Sequence, residues 1–141
     1  MAITYKSCLP VSQAHNETND CTVKAVAIAT NLPYKLAHAK LAEAGRPNRK
    51  GTYRPMYRKV MEDLGFSVTD IHTPAKTVAT IERYLNPAKR YVITVRGHAL
   101  AAANGKIEDW SEGRRYRIQN VWEVAPLISK NAKRKAARYA K

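Results

Sequence analysis

The chain is predicted to be α+β, with N-terminal helices and a central cysteine-bearing helix packed on a small antiparallel sheet. Three observations carry this. Thr18 to Thr30 joins capping residues to a run in which only Lys24 is charged from Val23 to Ala29; a helix apolar nearly all round is buried. Two further stretches repeat apolar residues at helical spacing. Later, a β-branched run leads to Asn104-Gly105 between two apolar segments, the strongest short-range hairpin signal.

In order, residues 1–17 are mixed and carry Pro10, and read as a largely irregular lead-in. Asn19 or Asp20 suits the N-cap of the cysteine helix, because a side-chain oxygen there accepts from unpaired first-turn N–H groups. That places Cys21 on the first turn, where the helix dipole favours a thiolate. Asn31-Leu32-Pro33 stops the helix. Tyr34 to Ala44 and Tyr53 to Leu64 are the next helices, ended by Gly45 and Gly65. Phe66 to Ile71 reads as a short strand and Thr77 to Leu85 as a fourth helix. Tyr91 to Val95, His98 to Ala103, Lys106 to Trp110 and Arg117 to Val124 read as strands.

The 141 residues suit one domain, placed at 1–128, with a basic tail at 129–141. No run is long enough to cross a bilayer and the N-terminus lacks a signal-peptide core, so membrane insertion and secretion are not expected. A cytoplasmic protein, in a host cell or carried in a virion, is the expectation. Two cysteines outside any CxxC, Cys8 and Cys21, give neither a disulfide framework nor a zinc site. No metal and no cofactor is expected.

Lysine and arginine number 25 against 11 acids, a formal net charge of +14. Such a surface attracts polyanions: DNA, RNA or cell-wall polymer. The expected contacts are Arg46, Arg49, Lys50, Arg54 and Arg58, interleaved with Tyr53 and Tyr57, and in the tail Lys133, Arg134, Lys135 and Arg138.

The hairpin also carries chemistry. With Asn104-Gly105 as a two-residue loop, Ala103 pairs with Lys106 and Leu100 with Asp109. His98 shares the face of Leu100, so His98 and Asp109 are diagonal neighbours roughly 7–8 Å apart at the backbone. A histidine held by a carboxylate, near a thiol at a helix N-terminus, is what a cysteine nucleophile needs: the imidazole takes the proton and the carboxylate steadies the imidazolium.

At this point the chain resembles a known family. Asn19-Asp20-Cys21-Thr22-Val23 with its apolar continuation, then Tyr91 to Gly97 and His98 through Trp110, is similar to small papain-like cysteine peptidase domains. The bacteriocin-processing peptidases and many uncharacterised phage and bacterial proteins are of this kind. The resemblance covers about residues 13–110 in two blocks. It implies a papain-like fold with Cys21 as nucleophile, His98 as general base and Asp109 as orienting acid, acting on a protein or peptide substrate through an acyl-enzyme. Those peptidases usually carry an oxyanion-stabilising glutamine six residues before the cysteine, where this chain has His15. Gln13, His15, Asn16 and Asn19 are therefore the candidate donors. Asp20-Cys21 also resembles the NlpC/P60 cell-wall peptidases, but Thr22-Val23 and Asp109 stand where their Ser-Gly and second histidine would be. Two functions follow: a thiol hydrolase, peptidase or isopeptidase; or a phage protein that keeps the fold without the chemistry and binds nucleic acid or a host protein. The oligomeric state is not legible.

Overall fold

The structure, a computed structural model, describes residues 3–14, 20–46, 54–111 and 113–126, with only the backbone of residues 54 and 55. It is α+β: five helices and a five-stranded, wholly antiparallel sheet among the described residues.

The first helix is one that sequence reading left as irregular. α1 (Tyr5–Ala14) runs through Pro10. Its start has a local cause: the Thr4 N–H donates to Ser7 Oγ at 2.9 Å, and the Ser7 N–H to Thr4 Oγ1 at 3.1 Å. This reciprocal pair is a capping box with serine in place of the usual acid. Pro10 lacks one donor and disfavours a helix interior, but burial of Cys8 and Ser12 holds the helix in place.

α2 (Cys21–Thr30) is the predicted buried helix, with eight of its ten residues buried. Asn31 ends it in the left-handed conformation, φ 56°. α3 (Tyr34–Glu43) and α4 (Arg54–Asp63) follow. The sheet comprises β1 (Phe66–Asp70), β2 (Arg90–Val95), β3 (His98–Ala103), β4 (Lys106–Glu108) and β5 (Ile118–Pro126), in the order β1-β5-β2-β3-β4. α5 (Val78–Ile81) is shorter than expected, because the chain tightens into a 3₁₀ turn at Glu82–Tyr84.

Period-two alternation divides the core into two layers. Ala99, Ala101 and Ala103 pack with Val23, Val26 and Ile28 of α2. Leu100 and Ala102 pack on the other face with Val78, Ile81 and Ile93. Alanines on the inner face of β3 let a helix backbone come close to the sheet. Burying each Val or Ile of α2 stabilises the fold by about 1.5–3 kcal/mol. α2 is thus fixed against β3, and Cys21, its first residue, is fixed relative to His98, the first residue of that strand.

Candidate active site

The hairpin forms in the expected register: Ala103 faces Lys106, Ala102 faces Ile107 and Ala101 faces Glu108. Asn104 and Gly105 have φ 57° and 79°, as the two central positions of a type I′ turn require. β4 stops at Glu108, so Asp109 and Trp110 lie just past the strand rather than in it. The backbone turns there because Asp109 Oδ1 accepts the Ser111 N–H at 2.9 Å, a local Asx-type turn.

The same oxygen accepts from His98 Nε2 at 2.9 Å. The Asp109 side chain is only 3% exposed, so water competes little for that bond. Cys21 lines the same cleft as His98, and with Nε2 committed, Nδ1 is the ring nitrogen left to interact with its thiol. The Ala99 backbone N–H also favours the thiolate. All three residues named from sequence line one cleft.

Their acidities shift in opposite directions as a result. Burial opposes the Cys21 thiolate, but the His98 bond, the Ala99 N–H and the His98 charge outweigh it, and the thiol is held below its ordinary value of 9.0. Burial likewise opposes the His98 imidazolium. Bonds to Asp109 and to Cys21 outweigh that too, and raise it from 6.5 to about 9. In free solution the thiol keeps its proton and the imidazole is neutral. Here both shifts favour moving the proton from thiol to ring, toward a thiolate–imidazolium pair, an ordinary means of activating cysteine.

The pair opens on a cleft of about 590 Å³ with two walls. Tyr5, Asp20, Cys21 and Lys24 form the helical wall; Arg96, Gly97, His98, Trp110 and Tyr116 belong to the sheet wall. Trp110 packs its ring 5.2 Å from that of His98 and meets Tyr116 edge-on at 6.2 Å.

Asp20 differs from expectation. It stands at the N-cap position of α2, but its side chain makes no cap bond. Its carboxylate accepts instead from Ser12 Oγ and, at 2.7 Å, from Tyr34 Oη, and pairs with Lys24 at 3.2 Å. Burial raises its pKa, yet these partners together hold it below the usual carboxylate range. Asp20 ties α1 and α3 to the start of α2, and leaves the first-turn N–H groups of α2 without a side-chain cap from it.

The predicted oxyanion donors fare less well. Gln13 is exposed and does not line the cleft; His15, Asn16 and Asn19 lie outside the described residues. Of the basic contacts, Arg46 is 4% exposed and so is not a surface group. Its backbone N–H bonds the Leu41 carbonyl at 2.9 Å. Arg58 is engaged with the protein itself, donating to the Val68 carbonyl at 2.8 Å and to Asp70 at 3.3 Å, with its guanidinium over Trp122. Arg49, Lys50, the Arg54 side chain and Lys133, Arg134, Lys135 and Arg138 lie outside the described residues.

Sequence reasoning missed Tyr5, Lys24, Arg96 and Tyr116 as cleft residues. Lys24 had a signal: three residues after Cys21 it shares the helix face. Arg96 and Tyr116 had none, because only the tertiary fold brings the β2–β3 turn and the segment before β5 to one cleft. Among the described residues no group of His, Cys, Asp and Glu is arranged to hold a metal, and no helix is long and apolar enough to cross a membrane. Compared with known proteins, the chain matches no family model, and no curated protein or solved structure matches it significantly, so the site stands on its own geometry.

Proposed function

We propose that the chain is a thiol hydrolase of papain-like arrangement, a peptidase or isopeptidase, using Cys21, His98 and Asp109. The observation that carries the reading is one imidazole held by Asp109 at 2.9 Å in a cleft that Cys21 also lines. The resemblance of Asn19–Val23 and of the His98–Trp110 hairpin to small papain-like peptidases supports it, as does a cysteine-bearing helix packed on an antiparallel sheet.

The chemistry follows from the ion pair. The Cys21 thiolate attacks the substrate carbonyl carbon, and negative charge builds on its oxygen. First-turn N–H groups of α2 and the positive end of its dipole meet that charge. His98 passes its Nδ1 proton to the departing amine, the C–N bond breaks, and a thioester remains on Cys21. Water then gives a proton to His98 as it attacks the thioester, and the acid product leaves with the thiolate restored. Asp109 holds the ring orientation throughout and steadies its positive state.

Iodoacetamide at neutral pH tests this directly. Cys21 is expected to react at least about a hundredfold faster than Cys8. Equal labelling of the two at the rate of a free peptide thiol overturns the reading. The +14 charge favours a second function, a basic binding protein without chemistry. Its signature is binding to DNA or RNA that falls steeply with salt and survives Cys21→Ser.

A further inference from the structure

The cleft has an unused cation at its mouth. Its two acids are committed inside the protein, Asp20 to Ser12, Tyr34 and Lys24, and Asp109 to His98 and the Ser111 N–H. Lys24 is spent on Asp20, with its ammonium also 5.3 Å from the centre of the Tyr5 ring. Arg96 is different: it is exposed, lines the cleft, and has no hydrogen bond or ion pair among the described residues.

Its position is set by the backbone. β2 and β3 are joined by Arg96-Gly97 alone, with Val95 paired to His98. Gly97 has φ 74°, a value that favours glycine. The two-residue turn therefore holds Arg96 next to the catalytic ring. On the same wall, Trp110 and Tyr116 are 51% and 40% exposed and form a ledge running outward from His98. Arg114, Arg115 and Arg117 are exposed around Tyr116 in the chain.

The direction of the reaction gives this wall a role. His98 delivers its proton to the departing amine, so the leaving-group side of the substrate lies along the His98 wall and the acyl side along the α2 wall. We infer that Arg96 and the Trp110–Tyr116 ledge form a specificity site for substrates carrying a carboxylate just beyond the scissile bond on the leaving-group side. The carboxylate comes from an Asp or Glu side chain or from the chain terminus. The guanidinium fork takes it bidentately, and the ledge takes the apolar part of the neighbouring residue. This inference rests on the thiol-hydrolase reading.

The test uses the full chain and two readouts. The first is the ratio of Cys21 alkylation by iodoacetate to that by iodoacetamide, which differ in one negative charge. Arg96→Glu, a change at an exposed turn, is expected to lower this ratio about tenfold, and Arg96→Gln by less. The second is cleavage of a synthetic peptide mixture, with free and amidated C-termini, mapped by mass spectrometry. Acidic residues are expected in the first two positions after the cut, with the preference moving to Lys or Arg in Arg96→Glu. Preference confined to free C-termini assigns the site to the terminal carboxylate; preference kept in amidated peptides assigns it to Asp or Glu side chains. An activated Cys21 whose reagent ratio and cleavage pattern ignore Arg96→Glu overturns the inference and leaves the hydrolase standing. A Cys21 that reacts as a free thiol overturns both. Binding of a single-stranded oligonucleotide that Arg96→Glu abolishes, with the reagent ratio unmoved, gives the rim to nucleic acid and overturns the peptide reading.

Discussion

Two cysteines thirteen positions apart on neighbouring helices have thiols shifted in opposite directions. Cys8, in the middle of α1, is 1% exposed, and burial pushes its thiol up to about 11. Cys21, at the head of α2, is half-buried, and its thiol is held below 9.0. Burial works against the thiolate at both. The difference is in the neighbours: His98 and the Ala99 N–H favour the thiolate at Cys21, whereas Cys8 has Lys24 opposed by Asp20 and Glu108. Exposure alone does not make a nucleophile, and a buried sulfur is inert for want of a compensating charge.

Removing each sulfur in turn breaks the comparison most sharply. Cys21→Ala is expected to lower hydrolysis by about 10⁴-fold or more, measured as turnover of a cleaved peptide, while Cys8→Ala leaves it within about twofold. Loss of turnover in the second protein and not in the first would reverse the assignment. Asp109→Asn keeps the shape of the site but removes the charge that steadies the imidazolium, and about 10²–10⁴-fold in kcat should go with it.

Alkylation against pH sharpens the contrast. Cys21 should react at a plateau from its lowered thiol value up to about 9, the range over which the ion pair persists. Cys8 should only begin to react as pH climbs toward 11. Stability has a matching signature. His98, raised from 6.5 to about 9, contributes stability that is complete below 6.5 and lost as pH rises through 9. The lowered Cys21 thiol contributes stability that is complete above 9.0 and lost as pH falls through its lowered value. Where pH lies above that lowered value and between 6.5 and 9, folded and unfolded pairs each hold one proton, and the two effects cancel. Denaturant midpoints should be flat there for these two groups, and should decline with rising pH in Cys21→Ala, where His98 still faces Asp109. A flat profile in that variant would mean that Asp109 does not hold the imidazolium.

The smallest effect is on the turn that sets the register. Gly105 has φ 79°, with only ordinary contacts to Pro87 waiting for a Cβ. Gly105→Ala is expected to cost about 1 kcal/mol from backbone strain, read as a drop in Tm of a few degrees. A loss of Cys21 reactivity in that variant would show that register, and not stability alone, had moved.

Much of the site was legible because it is local. The register from Ala103–Lys106 outward follows from Asn104-Gly105 and a side-chain period of two, and His98 and Asp109 meet because of it. α2 was legible because a nearly uncharged ten-residue segment has only the interior to go to. α1 was obscured by Pro10, whose usual meaning was overridden by the Thr4–Ser7 cap and by packing. The cap role of Asp20 failed because Tyr34 and Ser12, on the two helices either side of α2, compete for the same carboxylate. Arg46 and Arg58 are charged in any reading of the chain, but only packing decides that one is buried and the other held by Asp70 and Trp122.

By itself, the sequence determined the buried helix, the hairpin and the pairing of imidazole with carboxylate, because each depends on neighbours within about a dozen residues. Only the tertiary structure decided that Cys21 shares a cleft with that imidazole, that Cys8 does not, and that Arg96 and Tyr116 line it too. Those outcomes depend on how α2 lies across β3, and shape-matched packing of alanines and valines far apart in the chain fixes that placement.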